Sequence, residues 1–379
     1  MVSPRKIFLL FALLAGCAAD KEPITFGLLY NLSGGQSALD VQSERGAALA
    51  LAEVNKDGGV LDQAVIKADI KGNTVSNEVH VKTAALLEQH PQTVALIGLS
   101  DTDMARAAAS AAMAADRVLL TSGATSPKLP EEFPGHLFLA CYGDNVQAAA
   151  AAEWLYHDAG ARRVLVIYDP EFEFTRLIKG YFTERFTELG GTVSNALAVV
   201  PASPEISTDN LKEIDAVYLA LQTAQIALPA IKRLRLAGLS APIVGADGFD
   251  INDVWATNPQ ISNVFFTTHG YFGADSPNKK ARDFTERYEH VYEGERPTAF
   301  AGLGFDAVRL LAHALDNYGS ADPAIVADAL RQVRDFEGVT GAMDFTDSAV
   351  PRKSVTVMKV QNGAAHFLAE RIPDSVSAP

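Results

Sequence analysis

The chain has 379 residues, 48% hydrophobic and 21% charged, with 32 Lys+Arg against 46 Asp+Glu and a formal net charge of −14. This balance excludes disorder as the main state, and the length suits about two domains. An acidic chain with no basic block argues against a nucleic-acid partner, and two cysteines are too few for a disulfide scaffold or a four-thiolate metal site.

The N-terminus reads Met1-Val2-Ser3-Pro4-Arg5-Lys6, then an apolar run from Ile7 to Ala15, then Gly16-Cys17. A basic start, a short apolar core and a small-residue exit predict a secretory signal over residues 1–16. The run falls well short of the roughly 20 residues that span a bilayer. Leu14-Ala15-Gly16-Cys17 resembles a bacterial lipobox, whose Cys is diacylated and becomes residue one; a plain signal peptide cut near Ala18-Ala19 is the alternative. Loss of Arg5 and Lys6 makes the mature chain more acidic by two charges. The expected location is extracytoplasmic, periplasm or cell surface, held to the membrane only by lipid on Cys17. Cys141, in the apolar stretch Leu137-Phe138-Leu139-Ala140, reads as a buried small hydrophobe rather than a nucleophile.

Short apolar runs then alternate with helix-period stretches. Strands are predicted at Ile24–Tyr30, Val65–Ile70, Val94–Gly98 and Arg117–Thr121, with helices at Gln42–Asn55, Asn77–Glu88 and Thr102–Ala115 between them. Asp57-Gly58-Gly59 stops the first helix. The pattern restarts with a helix at Ala148–Ala159 and a strand at Val164–Tyr168. A helix at Thr175–Leu189 and strands at Thr192–Val199 and Ala216–Ala220 follow. A helix at Ala224–Ala237 and strands at Ile243–Gly245 and Val264–Thr268 complete the second half. Helices at about 277–292, 301–317 and 323–333 come next, then a terminal pair, Ala342–Phe345 and Val355–Val360. Residues 371–379 read as a frayed tail. Two βαβ halves without a Pro/Gly/Ser-rich linker suit two closely joined lobes, with the chain crossing between them more than once.

Most catalytic signatures are absent: no phosphate loop, no His-Glu-x-x-His, no Cys-x-x-Cys and no Gly-x-Ser-x-Gly. The eight histidines are scattered, so neither a metal nor another cofactor is expected. Gly302-Leu303-Gly304-Phe305-Asp306-Ala307 matches a dinucleotide fingerprint formally, but it does not follow a first strand, and helix packing is the reading taken. The informative stretches are Ile97-Gly98-Leu99-Ser100-Asp101-Thr102-Asp103 and Leu120-Thr121-Ser122-Gly123-Ala124-Thr125-Ser126-Pro127. Each puts hydroxyls just beyond a strand's carboxyl end, where ligands bind in open α/β sheets. The first also opens a helix, whose free N–H groups favour an anion. Capping by Ser100 or Asp101 is the plainer alternative.

Order and spacing together resemble the type 1 periplasmic binding proteins of the branched-chain amino acid (Leu/Ile/Val) class, over about residues 23–370. The matching pieces are Ile24-Thr25-Phe26-Gly27, Ser33-Gly34, Val54-Asn55-Lys56-Asp57-Gly58-Gly59-Val60, Ala95-Leu96-Ile97-Gly98 and Gly123-Ala124-Thr125-Ser126-Pro127-Lys128-Leu129. Further along they are Asp215-Ala216-Val217-Tyr218, Gly245-Ala246-Asp247-Gly248, Phe305-Asp306-Ala307 and Gly338-Val339-Thr340-Gly341. The resemblance implies an α/β fold of two Rossmann-like lobes, parallel sheets flanked by helices, joined by a multi-strand hinge. It divides the chain into lobe 1 at 23–141 plus 270–341 and lobe 2 at 142–269 plus 342–370. Hinge strands would lie near Cys141–Asp144, His269–Phe272 and Gly341–Asp344.

The resemblance also implies site roles. A ligand carboxylate would meet Thr102 (a Ser in the family), Gly123 and Thr125. The ammonium would meet Asp247, at the acid of the family's Gly-x-Glu-Gly turn. Thr223 stands where the family has a Tyr, and Leu39 and Phe300 would border the ligand's side chain. Asp101 and Asp103 depart from the family's neutral residues and imply either helix-start acids facing solvent or a ligand with a cationic or polyol end. Asp169-Pro170-Glu171-Phe172-Glu173-Phe174 replaces the family's Tyr-Gly segment. The implied role is a monomeric, non-enzymatic lipoprotein that closes on a small polar ligand and delivers it to an ABC transporter permease. A sensor or regulator of an envelope protein is the alternative, and an enzyme a third reading.

Overall fold

The computed structural model describes residues 22–34, 37–71, 76–199, 206, 211–346 and 348–379. The predicted signal peptide and Cys17 lie outside the described residues. Among these residues no helix is long and apolar enough to cross a membrane.

The first unit comprises β1 (Ile24–Tyr30), α1 (Ser37–Lys56), β2 (Val65–Lys71), α2 (Ser76–Gln89), β3 (Thr93–Gly98), α3 (Thr102–Ala114), β4 (Leu119–Thr121), α4 (Leu129–Glu132) and β5 (Leu137–Leu139). Its five strands form a parallel sheet in the order β2-β1-β3-β4-β5. β1 and β3 are buried at every position, as expected of strands covered by helices on both faces.

The second unit comprises α5 (Asp144–Glu153), continued by a π-helical turn over Trp154–Asp158, then β6 (Arg163–Tyr168), α6 (Glu173–Glu188) and β7 (Thr192–Ala198). It continues through β8 (Ala216–Ala220), α7 (Ala224–Leu236), β9 (Ile243–Gly245), α8 (Asn252–Ala256) and β10 (Val264–Thr268). The chain then returns to the first unit with α9 (Lys279–Val291), α10 (Ala299–Tyr318), α11 (Val326–Arg331) and a small hairpin of β11 (Phe336–Gly338) and β12 (Gly341–Met343). It crosses back once more to end in β13 (Val355–Gln361) and β14 (Ala364–Arg371). The second sheet runs β14-β13-β10-β9-β8-β6-β7; β13 alone is antiparallel to the rest, and β14, antiparallel to β13, forms the edge. The fold is therefore α/β in two lobes, and the chain passes between them three times.

Three details differ from the sequence reading. The expected terminal pair does not form: Gly341–Met343 pairs with Phe336–Gly338, and Val355–Gln361 pairs with β10 and β14. β14 escaped notice because Ala364–Arg371 is a largely exposed edge strand that lacks the apolar alternation of a half-buried one. The segment after it is not frayed. Asp374 N–H donates to Glu153 at 3.0 Å, and Ser377 C=O accepts from Asn145 Nδ2 at 2.8 Å.

The core lies on both faces of each sheet. One apolar cluster joins β1, α1, α9, α10 and α11, and another packs α5 and α6 against β6 and β8. α1 and α10 cross at glycines. A Cβ on Gly46 would lie 1.8 Å from the Ala301 carbonyl oxygen, and one on Gly304 would lie 1.9 Å from that of Ser43. Gly302 abuts Phe272 and Thr340, so the Gly-x-Gly of this segment serves packing.

Because both clashes are with backbone, the helices must separate to admit a side chain. Gly46→Val should cost about 3 kcal/mol or more, read as a lower urea midpoint at unchanged slope. A midpoint equal to wild type would show that the crossing is not tight.

Candidate functional site

The cleft between the lobes is lined from the first lobe by Leu39, Ser100–Asp103, Gly123, Thr125 and Phe300, and from the second by Phe172–Phe174, Gln222, Asp247 and Gly248. Six of the seven ligand residues expected from the sequence meet there: Leu39, Thr102, Gly123, Thr125, Asp247 and Phe300. The seventh, Thr223, does not reach the wall. Its Oγ1 caps α7 by accepting from the Ile226 N–H at 3.4 Å, and Gln222 faces the cleft instead. The enclosed space is about 20 Å³, little more than one water needs.

The first-lobe wall is set by the turn from β3 into α3. Gly98 (φ +136°) passes so close to β1 that a Cβ would lie 1.9 Å from the Leu29 carbonyl oxygen. Leu99 follows at φ +65°, an unusual backbone for a buried leucine. Asp101 then caps α3, its Oδ1 accepting from the Met104 N–H at 2.9 Å. Burial pushes the Asp101 carboxyl up. Gly123 lies opposite, where a Cβ would fall 2.7 Å from Ser100 Oγ and 3.1 Å from Phe300. Thr125, just after β4, is tied to the crossing into the second lobe: its carbonyl accepts from the Asp144 N–H at 2.8 Å.

The second-lobe floor is Asp247. Its Oδ1 accepts from the Gly248 N–H at 3.0 Å and, at the limit of 3.5 Å, from Gln147 Nε2. Its Oδ2 lies 3.0 Å from His269 Nε2. Burial lowers the pKa of His269, more than Asp247 raises it, so the ring is a neutral donor with its proton on Nε2. The ring stacks on Tyr142 with centroids 3.8 Å apart and stands edge-on to Phe300. Gln147 also donates to Asp144 Oδ1 at 2.9 Å. Asp144 is fully buried, and desolvation first, then the nearby Asp247, push its pKa up to about 8. The same burial raises Asp40 to about 7 and Asp250 to about 6.

The two acids that depart from the family pattern have partners. Asp101 serves α3. Asp103 Oδ1 accepts from Arg106 Nη1 at 2.9 Å, and Arg106 also holds Glu132 through Nε at 2.7 Å and Glu173 through Nη2 at 2.7 Å. Neither acid is a free surface charge. Phe172–Phe174 lines the wall at the start of α6. The Thr175 hydroxyl donates to the Asp169 and Phe172 carbonyls, and Asp169 Oδ1 accepts from the Glu171 N–H at 2.9 Å. Sequence reasoning missed Gln147, His269 and Arg106. His269 follows a predicted strand directly, which was the available signal.

The periplasmic binding protein family model matches residues 23–365. The chain belongs to the periplasmic binding protein family. A Leu/Ile/Val-binding protein of Rhizobium johnstonii is 25% identical over 89% of this chain and 92% of its own length. Among solved structures, the leucine-binding protein LivK of Thermotoga maritima is similar with a TM-score of 0.81 and 26% identity, over 93% of this chain and 99% of that one. The branched-chain amino acid transporter substrate-binding protein LivJ of Streptococcus pneumoniae, in complex with isoleucine, gives 0.80 and 25%, over 92% and 99%. A Rhodopseudomonas palustris solute-binding protein in complex with benzoate shares the fold at 19% identity and a TM-score of 0.78. Members of the family are substrate-binding proteins rather than enzymes.

The raised carboxyls give this binding protein a pH signature. A carboxyl whose pKa is higher folded than unfolded holds a proton that the unfolded chain releases. Its contribution to stability therefore falls as pH rises from about 4 to the folded pKa, by at most about 1.4 kcal/mol per pH unit. For Asp144 that window extends to about 8. Asp144→Asn should lose less stability than wild type between pH 5.5 and 7.5, measured by urea midpoints. The same loss in both proteins would mean that Asp144 is not protonated in this range.

Proposed function

We propose that this chain captures an amino acid or a closely related small zwitterion between its lobes by hinge closure and delivers it to an ABC transporter permease. The observation that carries the reading is the opposition of Asp247 on one lobe to Thr102, at the start of α3, and Gly123 and Thr125, just after β4, on the other. An ammonium suits the former, hydroxyls and N–H groups suit a carboxylate, and Leu39 and Phe300 offer apolar contact to a side chain. The partnering of Asp101 and Asp103 supports a zwitterion over a polyol or dication, because it leaves Asp247 as the acid offered to the ligand. The side chains that hold its oxygens are His269 and Gln147, neither a Lys nor an Arg, so no fixed cation cancels its charge.

In this reading lobe 1 is 23–141 plus 270–341, lobe 2 is 142–269 plus 342–370, and the three crossings near Cys141–Asp144, His269–Phe272 and Gly341–Asp344 bend. A cleft with room for about one water must open to admit a ligand, and contacts to both lobes then favour closure. Cys17 carries lipid and holds the monomer at the extracytoplasmic face.

The test is a thermal-shift panel of amino acids, aromatic acids, amides and polyols on protein beginning after Cys17. A ligand at 100 times its Kd should stabilise by about 2.7 kcal/mol. Binding of an aliphatic amino acid supports the reading; binding of polyols alone overturns the zwitterion site. For the amino acid found, Asp247→Ala should weaken binding by about 1–3 kcal/mol, and Thr125→Val should act in the same direction. Unchanged Kd values would remove both residues from the site.

A further inference from the structure

Four acids line the cleft, Asp101, Asp103, Glu173 and Asp247, and no Lys or Arg stands among the described lining residues. Such a wall would draw in dications if its acids were free. Arg106 changes that from just behind the wall. On α3 of the first lobe, its guanidinium forms a fork to Glu132, with Nε–Oε2 at 2.7 Å and Nη2–Oε1 at 3.0 Å. The same group holds Asp103 at 2.9 Å on its own helix and reaches across to Glu173 at 2.7 Å on the second lobe. Glu173 is the first residue of α6, so this ion pair ties the starts of α3 and α6 together beside the ligand space.

An isolated surface pair contributes little, but a planar fork shared by three carboxylates is the arrangement in which such pairs matter. These side chains are also only about 20–42% exposed. Glu132 foremost, and Glu173 with it, favour the charged form of the guanidinium against the cost of its partial burial.

We propose that Arg106 is a specificity-determining residue of the cleft: it clasps the two lobes through Glu173 and, by occupying Asp103 and Glu173, turns away ligands that carry a second cation. The specificity half rests on the zwitterion reading above; the clasp half does not. Arg106 takes the place that the ammonium or guanidinium of a basic side chain would fill. Its removal leaves Asp103, Glu132 and Glu173 without their shared cation, which repels the lobes apart and invites a basic ligand.

The experiment uses wild type, Arg106→Gln and Glu173→Gln of the mature chain with L-leucine and L-lysine as probes. Calorimetry should give wild-type binding of leucine well over lysine. In Arg106→Gln the ratio of Kd for lysine to Kd for leucine should fall at least tenfold, because a side-chain cation now meets unpaired acids. Glu173→Gln, which removes an acid, should leave that ratio unchanged or raise it. Small-angle scattering without added ligand should give a larger radius of gyration for both variants than for wild type at low salt, with wild type approaching them at high salt. An unchanged Kd ratio in Arg106→Gln overturns the specificity half. Equal radii for all three proteins overturn the clasp. If neither amino acid binds wild type, the specificity half fails, the thermal-shift panel decides the zwitterion reading by itself, and the scattering alone decides the clasp. Arg106→Lys, which keeps the charge and loses the fork, should fall between wild type and Arg106→Gln in both readouts; behaviour identical to Arg106→Gln would show that charge is not what Arg106 supplies.

Discussion

A carboxylate buried between two lobes is costly unless its oxygens are hydrogen-bonded, and the arrangement around Asp247 answers that requirement with groups from three elements. The Gly248 N–H comes from its own turn, Gln147 from α5, and His269 from the end of β10. Two of these partners stand beside points where the chain crosses between lobes. Gln147 also holds Asp144, the first residue after the crossing from lobe 1, and His269 opens the return crossing. The floor of the cleft and two of the crossings thus share one hydrogen-bond network, which under the proposed hinge closure carries a change at Asp247 to the segments that bend.

The network also explains why a chain with so many acids can carry several of them inside. Asp144, Asp40 and Asp250 are buried, and exclusion of water raises the pKa of each, Asp144 most, whereas Asp247 has donors from backbone, amide and imidazole. Arg106 gives the acids at the cleft's edge the cation they lack elsewhere. The acids thereby fall into buried carboxyls of raised pKa, carboxylates paired with Arg106, and Asp247, which lines the cleft.

Much of this was legible in the sequence, and the limits have physical causes. Alternating apolar runs gave the order of strands and helices through β10, because parallel strands buried on both faces are written as short continuous apolar stretches. Hydroxyls after β3 and β4 pointed to the cleft because strand ends fix their direction. Short and edge elements were lost: β5 has three residues, and β14 is an exposed edge that carries His366 and Glu370. Thr223 was assigned to the ligand although it caps α7, since local sequence does not tell a cap from a contact. The partnering of Asp103 by Arg106 and Glu132 and the reach to Glu173 join residues far apart in the chain, which no periodicity encodes.

The glycine crossing of α1 and α10 has a meaning beyond packing. Leu39 and Phe300, the two apolar cleft residues of the first lobe, sit in the first turns of these same two helices. The backbone contact of Gly46 with Ala301, immediately after Phe300, therefore acts as a spacer that sets how far apart those side chains stand. Under the proposed function, the width of the apolar berth is set by a position outside the cleft lining. Relatives that differ only at this crossing could thus prefer larger or smaller side chains while keeping every cleft residue the same.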